Sequence, residues 1–73
     1  MTLIDIPENT NVQITAVAPS ENGGRLQEMG FYRNQVVTVI GSAPFGDPLA
    51  IRIGNSTVML RKEEAKTIEV KLD

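Results

Sequence analysis

Short stretches of alternating apolar and polar residues recur along the chain, each bounded by glycine, proline or asparagine. The clearest are VQITAVA at 12–18, QVVTVIG at 35–41 and TIEVKL at 67–72. Successive side chains of a strand point to opposite faces, so this period is typical of strands with one buried face. We therefore expect a sheet protein in which each strand contributes an apolar face to a common core.

Two further short strands are predicted as a hairpin. The segments LAIRI at 49–53 and TVML at 57–60 flank the tripeptide Gly54-Asn55-Ser56. Glycine and asparagine tolerate the positive φ that tight hairpin loops need. This spacing predicts a loop of three residues.

Two short helices are predicted between the strands, over 21–29 and 61–66. Gly30 follows the first of them, where a left-handed residue commonly ends a helix. Phe31 then occupies the next position, from which the Schellman arrangement favours packing on Leu26.

The sequence therefore predicts an all-β protein, a small antiparallel barrel of about five strands with two short helices. A closed sheet is favoured because it removes the exposed edges through which strands aggregate. Since 73 residues are too few for two independent cores, we expect one domain over 1–73.

The chain contains no cysteine and no histidine, which excludes disulfides, thiolate chemistry and imidazole bases. A metal would have to be held by oxygen, yet the nine acidic residues are scattered apart from the pair Glu63-Glu64. Adjacent helical positions point about 100° apart, so this pair does not form two facing catalytic carboxylates. We expect a solvated acidic surface, no metal site and no enzymatic activity.

Charge and hydropathy limit the partners. The net charge of −2 is opposite to the basic surface that nucleic acids require, so nucleic acid is not an expected ligand. No apolar run approaches the ~20 residues of a membrane-spanning helix, and the first ten residues lack the pattern of a signal peptide. We expect a cytoplasmic protein with no direct membrane insertion.

The segment APFGDP at 43–48 places an aromatic ring and a carboxylate on a stiff loop. Pro44 fixes one backbone angle, Gly46 permits an unusual one, and Asp47 can accept hydrogen bonds from loop amides. Two interpretations of Phe45 are open. The ring either caps the mouth of the barrel or forms a preorganised apolar knob for a partner protein.

These residues together resemble the ferrous iron transport protein A family, FeoA. The resemblance covers nearly fifty consecutive residues and is carried by Arg25-Leu26, Met29-Gly30, Val37, Val39, the segment 43–48, Ile51-Arg52-Ile53-Gly54, Leu60-Arg61, Glu64-Ala65, Ile68 and Val70. The family commonly has Pro-Gly where this chain has Arg33-Asn34, and asparagine can adopt the left-handed conformation of that glycine.

The resemblance implies an SH3-like barrel that acts in the cytosol beside the membrane transporter for ferrous iron, whose cytosolic part binds GTP. Similar domains lie at the end of iron-dependent repressors of the diphtheria-toxin type. The resulting prediction is a non-catalytic adaptor that docks on this transporter and supports its assembly or regulation. No cofactor is expected, although the resemblance leaves room for a weak association with ferrous iron.

The predicted partner-binding surface combines the first helix with neighbouring loops. Its members are Arg25, Leu26, Met29, Phe31, Tyr32, Phe45 and Asp47. An alternative of a different class is a metal-sensing or regulatory module that acts with an iron-dependent transcription factor. Oligomeric state is left open, because exposed sheet edges could also pair between copies.

Overall fold

The computed structural model describes residues 1–21 and 23–73, and within them the chain forms five strands and two α-helices. The elements are β1 (Thr10–Val17), α1 (Gly23–Glu28), β2 (Val36–Ser42), β3 (Leu49–Ile53), β4 (Ser56–Leu60), α2 (Lys62–Ala65) and β5 (Ile68–Leu72), preceded by a 3-10 helix at Leu3–Asp5.

The strands form one antiparallel sheet in the order β4-β3-β2-β1-β5. The register shifts between Ile14 and Ala16 where β1 pairs with β5, and between Val39 and Gly41 where β2 pairs with β3. Such bulges bend strands and increase their twist, which lets a small sheet curl around its own core. The predicted all-β class, with five strands and two short helices, is confirmed. The expected closure of the sheet is not found among the described residues, because β4 and β5 do not pair and both remain edge strands.

The core follows from the alternation in the sequence. Val12 and Ile14 of β1 are fully buried, as are Val37 of β2 and Ile68 of β5 at the same period of two. The remaining apolar members of the core are Leu3, Ile6, Leu26, Phe31, Val39, Ile51, Leu60, Ala65 and Val70.

The end of α1 has the predicted Schellman geometry. Gly30 has φ of 107°, the Phe31 N–H donates to the Leu26 carbonyl at 2.9 Å, and the Gly30 N–H donates to the Gln27 carbonyl at 3.0 Å. These bonds turn the chain so that Phe31 enters the core beside Leu26. The helix was predicted over 21–29; α1 begins at Gly23, and Asn22 lies outside the described residues.

The hairpin between β3 and β4 is tighter than predicted. Ile53 pairs with Ser56, so the loop contains two residues, Gly54 and Asn55, and Ser56 belongs to the strand. Gly54 has φ of 59°, and a glycine with positive φ at the first loop position is what a type II′ hairpin turn requires. Asn34, before β2, has φ of 76°, which is the left-handed conformation that the sequence comparison with the family indicated for this position.

The N-terminal segment forms structure that the sequence did not predict. The Asp5 N–H donates to the Thr2 carbonyl at 3.0 Å, while an Asp5 carboxylate oxygen accepts from the Thr2 N–H at 2.9 Å. These reciprocal bonds close the 3-10 helix and bury Leu3. Thr2 also forms an isolated bridge with Glu69, which places this segment against β5.

Candidate partner-binding site

Phe45 lies in solvent at the tip of the loop between β2 and β3, with 96% of its surface exposed. The turn beneath it is closed by two backbone hydrogen bonds, from the Gly46 N–H to the Ala43 carbonyl at 2.7 Å and from the Ala43 N–H to the Pro48 carbonyl at 2.9 Å. Gly46 has φ of 82°, which few other residues adopt. The loop is therefore ordered while its ring is free.

The interpretation of Phe45 as a cap of the barrel mouth is wrong. A ring with almost all of its surface exposed fills no part of the core. Leu3 and Ile6 of the N-terminal segment join the core instead, so the apolar cluster is extended without the phenylalanine.

Asp47 holds this loop against α2. Its Oδ1 atom accepts a hydrogen bond from the Lys62 N–H at 3.0 Å, at the first residue of the helix. The expected bond to amides of its own loop is replaced by this one, because the helix start offers a free N–H group that needs an acceptor. Asp47 is thus a positioning residue for the Phe45 loop.

Glu64 connects the two helices. Its side chain is 7% exposed and forms an ion pair with the Arg25 guanidinium of α1. Its other carboxylate oxygen accepts from the Arg61 N–H at 3.2 Å, at the N-terminus of α2. The expectation that all acidic residues are solvated is wrong for Glu64. The sequence does contain a signal for its role, because Glu64 follows Arg61 by three residues, the spacing at which a capping-box glutamate bonds the N-cap backbone.

Two open grooves flank α2. One, of about 510 Å³, lies between the helices and has the buried Leu26 and Glu64 among its lining residues, with Arg25, Arg61 and Glu63 also lining it. The other, of about 270 Å³, adjoins the Phe45 loop, and its lining residues are Ile4, Ile6, Pro7, Glu8, Val39, Gly41, Ser42, Gly46, Leu49 and Lys62. An exposed aromatic ring therefore stands beside a largely apolar groove.

The structure divides the predicted partner-binding residues. Leu26 and Phe31 are fully buried, so direct contact of these two side chains with a partner, as predicted, is wrong; the Schellman turn directs both into the core. Met29 is half-buried and packs against the same core.

The remaining members fall into two places. Arg25, Phe45 and Asp47 are linked through α2, because Asp47 bonds its first residue and Arg25 pairs with Glu64. Tyr32 is exposed but precedes β2, whereas the Phe45 loop follows it. Tyr32 and Phe45 thus lie at opposite ends of this strand.

Within residues 1–21 and 23–73, no three histidine, cysteine, aspartate or glutamate side chains come together as a metal site would require. In the same part of the chain, no helix has the length and apolar character needed to cross a bilayer.

The sequence model of the FeoA domain family matches residues 1–72 of this chain. The chain belongs to the FeoA family. A stretch of 48 residues, 66% of the chain, is 46% identical to the Fe(2+) transport protein A/Fe(2+) transporter FeoB fusion protein of Porphyromonas gingivalis. The matched stretch corresponds to 6% of the length of that FeoA-containing protein.

Solved FeoA structures share the fold. Iron(II) transport protein A from Clostridium thermocellum is 34% identical with a TM-score of 0.93, over 99% of this chain and 45% of that one. FeoA of Stenotrophomonas maltophilia, an SH3 domain protein solved in complex with zinc, is 30% identical with a TM-score of 0.83. The match covers 97% of this chain and 89% of the Stenotrophomonas chain. The predicted SH3-like barrel of the FeoA family is confirmed.

The fold also occurs in a repressor. The manganese-activated repressor ScaR matches with a TM-score of 0.88 at 16% identity, over 100% of this chain and 35% of the repressor. This likeness shows the fold alone, and it agrees with the resemblance to repressor domains noted from the sequence.

Proposed function

We propose that this FeoA-family chain is a non-catalytic adaptor of ferrous iron uptake, which docks through its Phe45 loop on the membrane transporter for ferrous iron. The observation that carries the proposal is the exposure of Phe45, 96%, on a turn closed by two hydrogen bonds. Aromatic side chains dominate the energy of many interfaces, and the backbone of an ordered loop loses little further entropy on binding.

The fused relative supports the choice of partner. In Porphyromonas gingivalis an FeoA-like stretch and a FeoB transporter share one polypeptide. Joining two modules in one chain holds each at a high local concentration around the other, which favours modules that act together. We therefore place the adaptor on the cytosolic side, next to the GTP-binding part that the family resemblance implies for the transporter.

The proposed docking surface consists of the Phe45 ring and the groove beside it. Ile4, Pro7 and Leu49 give this groove apolar walls, and Lys62 adds a positive charge at its border. A knob beside a groove fits a partner that offers a pocket for the ring and a ridge for the groove. Asp47 supports this surface from below by fixing the loop on α2.

An NMR titration of the labelled chain with the transporter's cytosolic GTP-binding domain, with and without guanine nucleotide, tests the proposal. We expect the largest shift changes in residues 43–48 and in α2. Phe45→Ala should weaken binding by about tenfold or more, as truncation of an aromatic hot spot does. The matched control is Leu72→Ala, since Leu72 is also an exposed apolar side chain, 62%, but lies at the end of β5.

Equal affinity of the Phe45→Ala and Leu72→Ala variants would show that the loop is not the docking surface. Chemical-shift changes confined to the surroundings of Tyr32, at the other end of β2, would show that the interface lies at that end and would contradict docking through the Phe45 loop. No binding of the native chain in either nucleotide state would contradict the proposed partner.

We propose also that the adaptor works without a metal of its own. The lack of a cluster of three potential ligands among the described residues supports this view. Of the nine acidic side chains, Glu64 is engaged in its ion pair, Asp47 at the start of α2 and Asp5 with the Thr2 N–H, and the other six are exposed surface charges.

A further inference from the structure

The two edge strands of the sheet are protected unequally. β5 carries the charges of Glu69 and Lys71, and its ladder with β1 is interrupted by a register shift. The N-terminal segment covers part of its outer side, where the Val70 N–H donates to the Met1 carbonyl at 2.9 Å. Charged residues, bulges and covering segments are the usual means by which proteins keep an edge from pairing.

The opposite edge, β4, has none of these protections. Its sequence, Ser56–Leu60, contains no charged residue, no proline and no glycine, and it pairs with β3 along its whole length without a register shift. In the part of the chain that the structure describes, no segment pairs with its outer side. The side chain of Met59 in this strand is 53% exposed. A regular, uncharged edge offers its free N–H and C=O groups to another strand.

We propose that the outer edge of β4 is a self-association surface, which pairs antiparallel with β4 of a second copy of this chain. A two-fold axis at Val58 would place Thr57 of one copy opposite Met59 of the other, and Ser56 opposite Leu60. The thioether side chain of Met59 would then cover the neighbouring Thr57 on the outer face of the joined sheet.

The absence of charge argues for a second copy as the occupant. Like charges facing each other across a ladder are destabilising, and the two-fold pairing of β4 brings none together. A strand with charged residues would find no opposite charge on β4. The edge is thus complementary to itself.

The association should be weak and dependent on concentration. A stable interface needs about 1,000 Å² of buried surface, and an edge of five residues buries less than that. The dimer therefore becomes populated only at high local concentration. The Phe45 loop adjoins Leu49, which pairs with Leu60 at one end of β4. Antiparallel pairing therefore leaves the two Phe45 loops at opposite ends of the joined sheet, and self-association is independent of transporter docking.

Sedimentation equilibrium of the full chain, from about 10 µM to about 2 mM, measures this self-association. We expect the average mass to rise from 8.0 kDa towards twice that value. Met59→Lys should keep the chain monomeric, because it places two lysines diagonally across the paired strands. Leu72→Lys changes a similarly exposed apolar residue on the other edge strand and should associate like the native chain.

Hydrogen exchange locates the surface. Protection of the β4 amides should increase with concentration in the native chain and in Leu72→Lys, but not in Met59→Lys. A native chain that stays monomeric, or a Met59→Lys variant that associates as strongly as the native chain, would overturn the proposal. So would protection that appears on β5, or on β4 only after the transporter domain is added.

Discussion

Glu64 is the buried carboxylate on which the arrangement of the two helices depends. It accepts a backbone hydrogen bond at the start of α2 and pairs with Arg25 of α1, so one side chain fixes both elements. Its own carbonyl also accepts from the Thr67 hydroxyl at 2.7 Å, which ties the end of α2 to the approach to β5. By fixing α2, Glu64 also positions the Phe45 loop, since Asp47 accepts a hydrogen bond from the first residue of the same helix.

Glu64→Ala should lower the free energy of unfolding by about 1–3 kcal/mol, because it leaves the Arg61 N–H and the Arg25 guanidinium without their partner. Glu64→Gln retains an acceptor of the same shape and should cost less. Denaturation by urea, followed by circular dichroism, measures both. The control is Glu63→Ala, an exposed neighbour whose removal should change stability by less than about 0.5 kcal/mol. Equal losses at 63 and 64 would contradict the bridging role.

Phe45 shows why some of the site was visible in the sequence and some was not. The two prolines and Gly46 indicate a stiff loop, and the structure has an ordered turn there. Whether the ring faces inward depends on which other residues fill the core, and these include Leu3 and Ile6, which are far away in sequence. Local pattern therefore predicted the turn but left the direction of the ring open.

Helix α1 and its Schellman turn contain two glycines, Gly24 and Gly30, at which replacement by alanine should change the stability in opposite directions. Gly30 has φ of 107°, and a Cβ atom added there would lie 3.2 Å from the Ile53 Cγ2 atom. Gly24 lies within the helix, and a Cβ atom there would meet nothing within 4 Å.

Gly30→Ala should destabilise the fold by about 1–2 kcal/mol, since it combines an unfavourable backbone angle with a close contact. Gly24→Ala should stabilise it by about 0.5–1 kcal/mol, because alanine loses less backbone entropy in a helix. Thermal and urea unfolding of the two variants in parallel measures the difference. A shift in the same direction for both would show that α1 does not have the described geometry.

The strands were the most predictable elements, and the N-terminal segment was the least. Period-two alternation identifies a strand because it reports one buried face, and all five predicted strands overlap the observed ones. The 3-10 helix at Leu3–Asp5 is too short to have a period, and its bonds are local to Thr2 and Asp5. The two-residue hairpin differed by one position because several loop lengths suit the same glycine and asparagine.

The molecule as a whole is a small barrel in which each helix connects strands and carries little of the core. Leu26 is the buried residue of α1, while most core residues come from the strands. With 73 residues, such a domain has a small entropy of unfolding, so binding of a ligand to the folded state produces a large shift in melting temperature.

The proposal that the adaptor holds no metal of its own is therefore testable by melting temperature. A ligand at about 100 times its dissociation constant stabilises a fold by about 2.7 kcal/mol, and for a domain of this size each kcal/mol shifts the midpoint by about 4–8 °C. We expect no shift with ferrous iron under anaerobic conditions at about 1 mM, where a site of about 10 µM affinity would raise the midpoint by more than about 10 °C. A parallel scan with zinc is the informative comparison, because the Stenotrophomonas relative was solved with that ion. A rise with either metal that disappears in Glu64→Gln would assign a ligand role to the buried carboxylate and contradict an adaptor without metal.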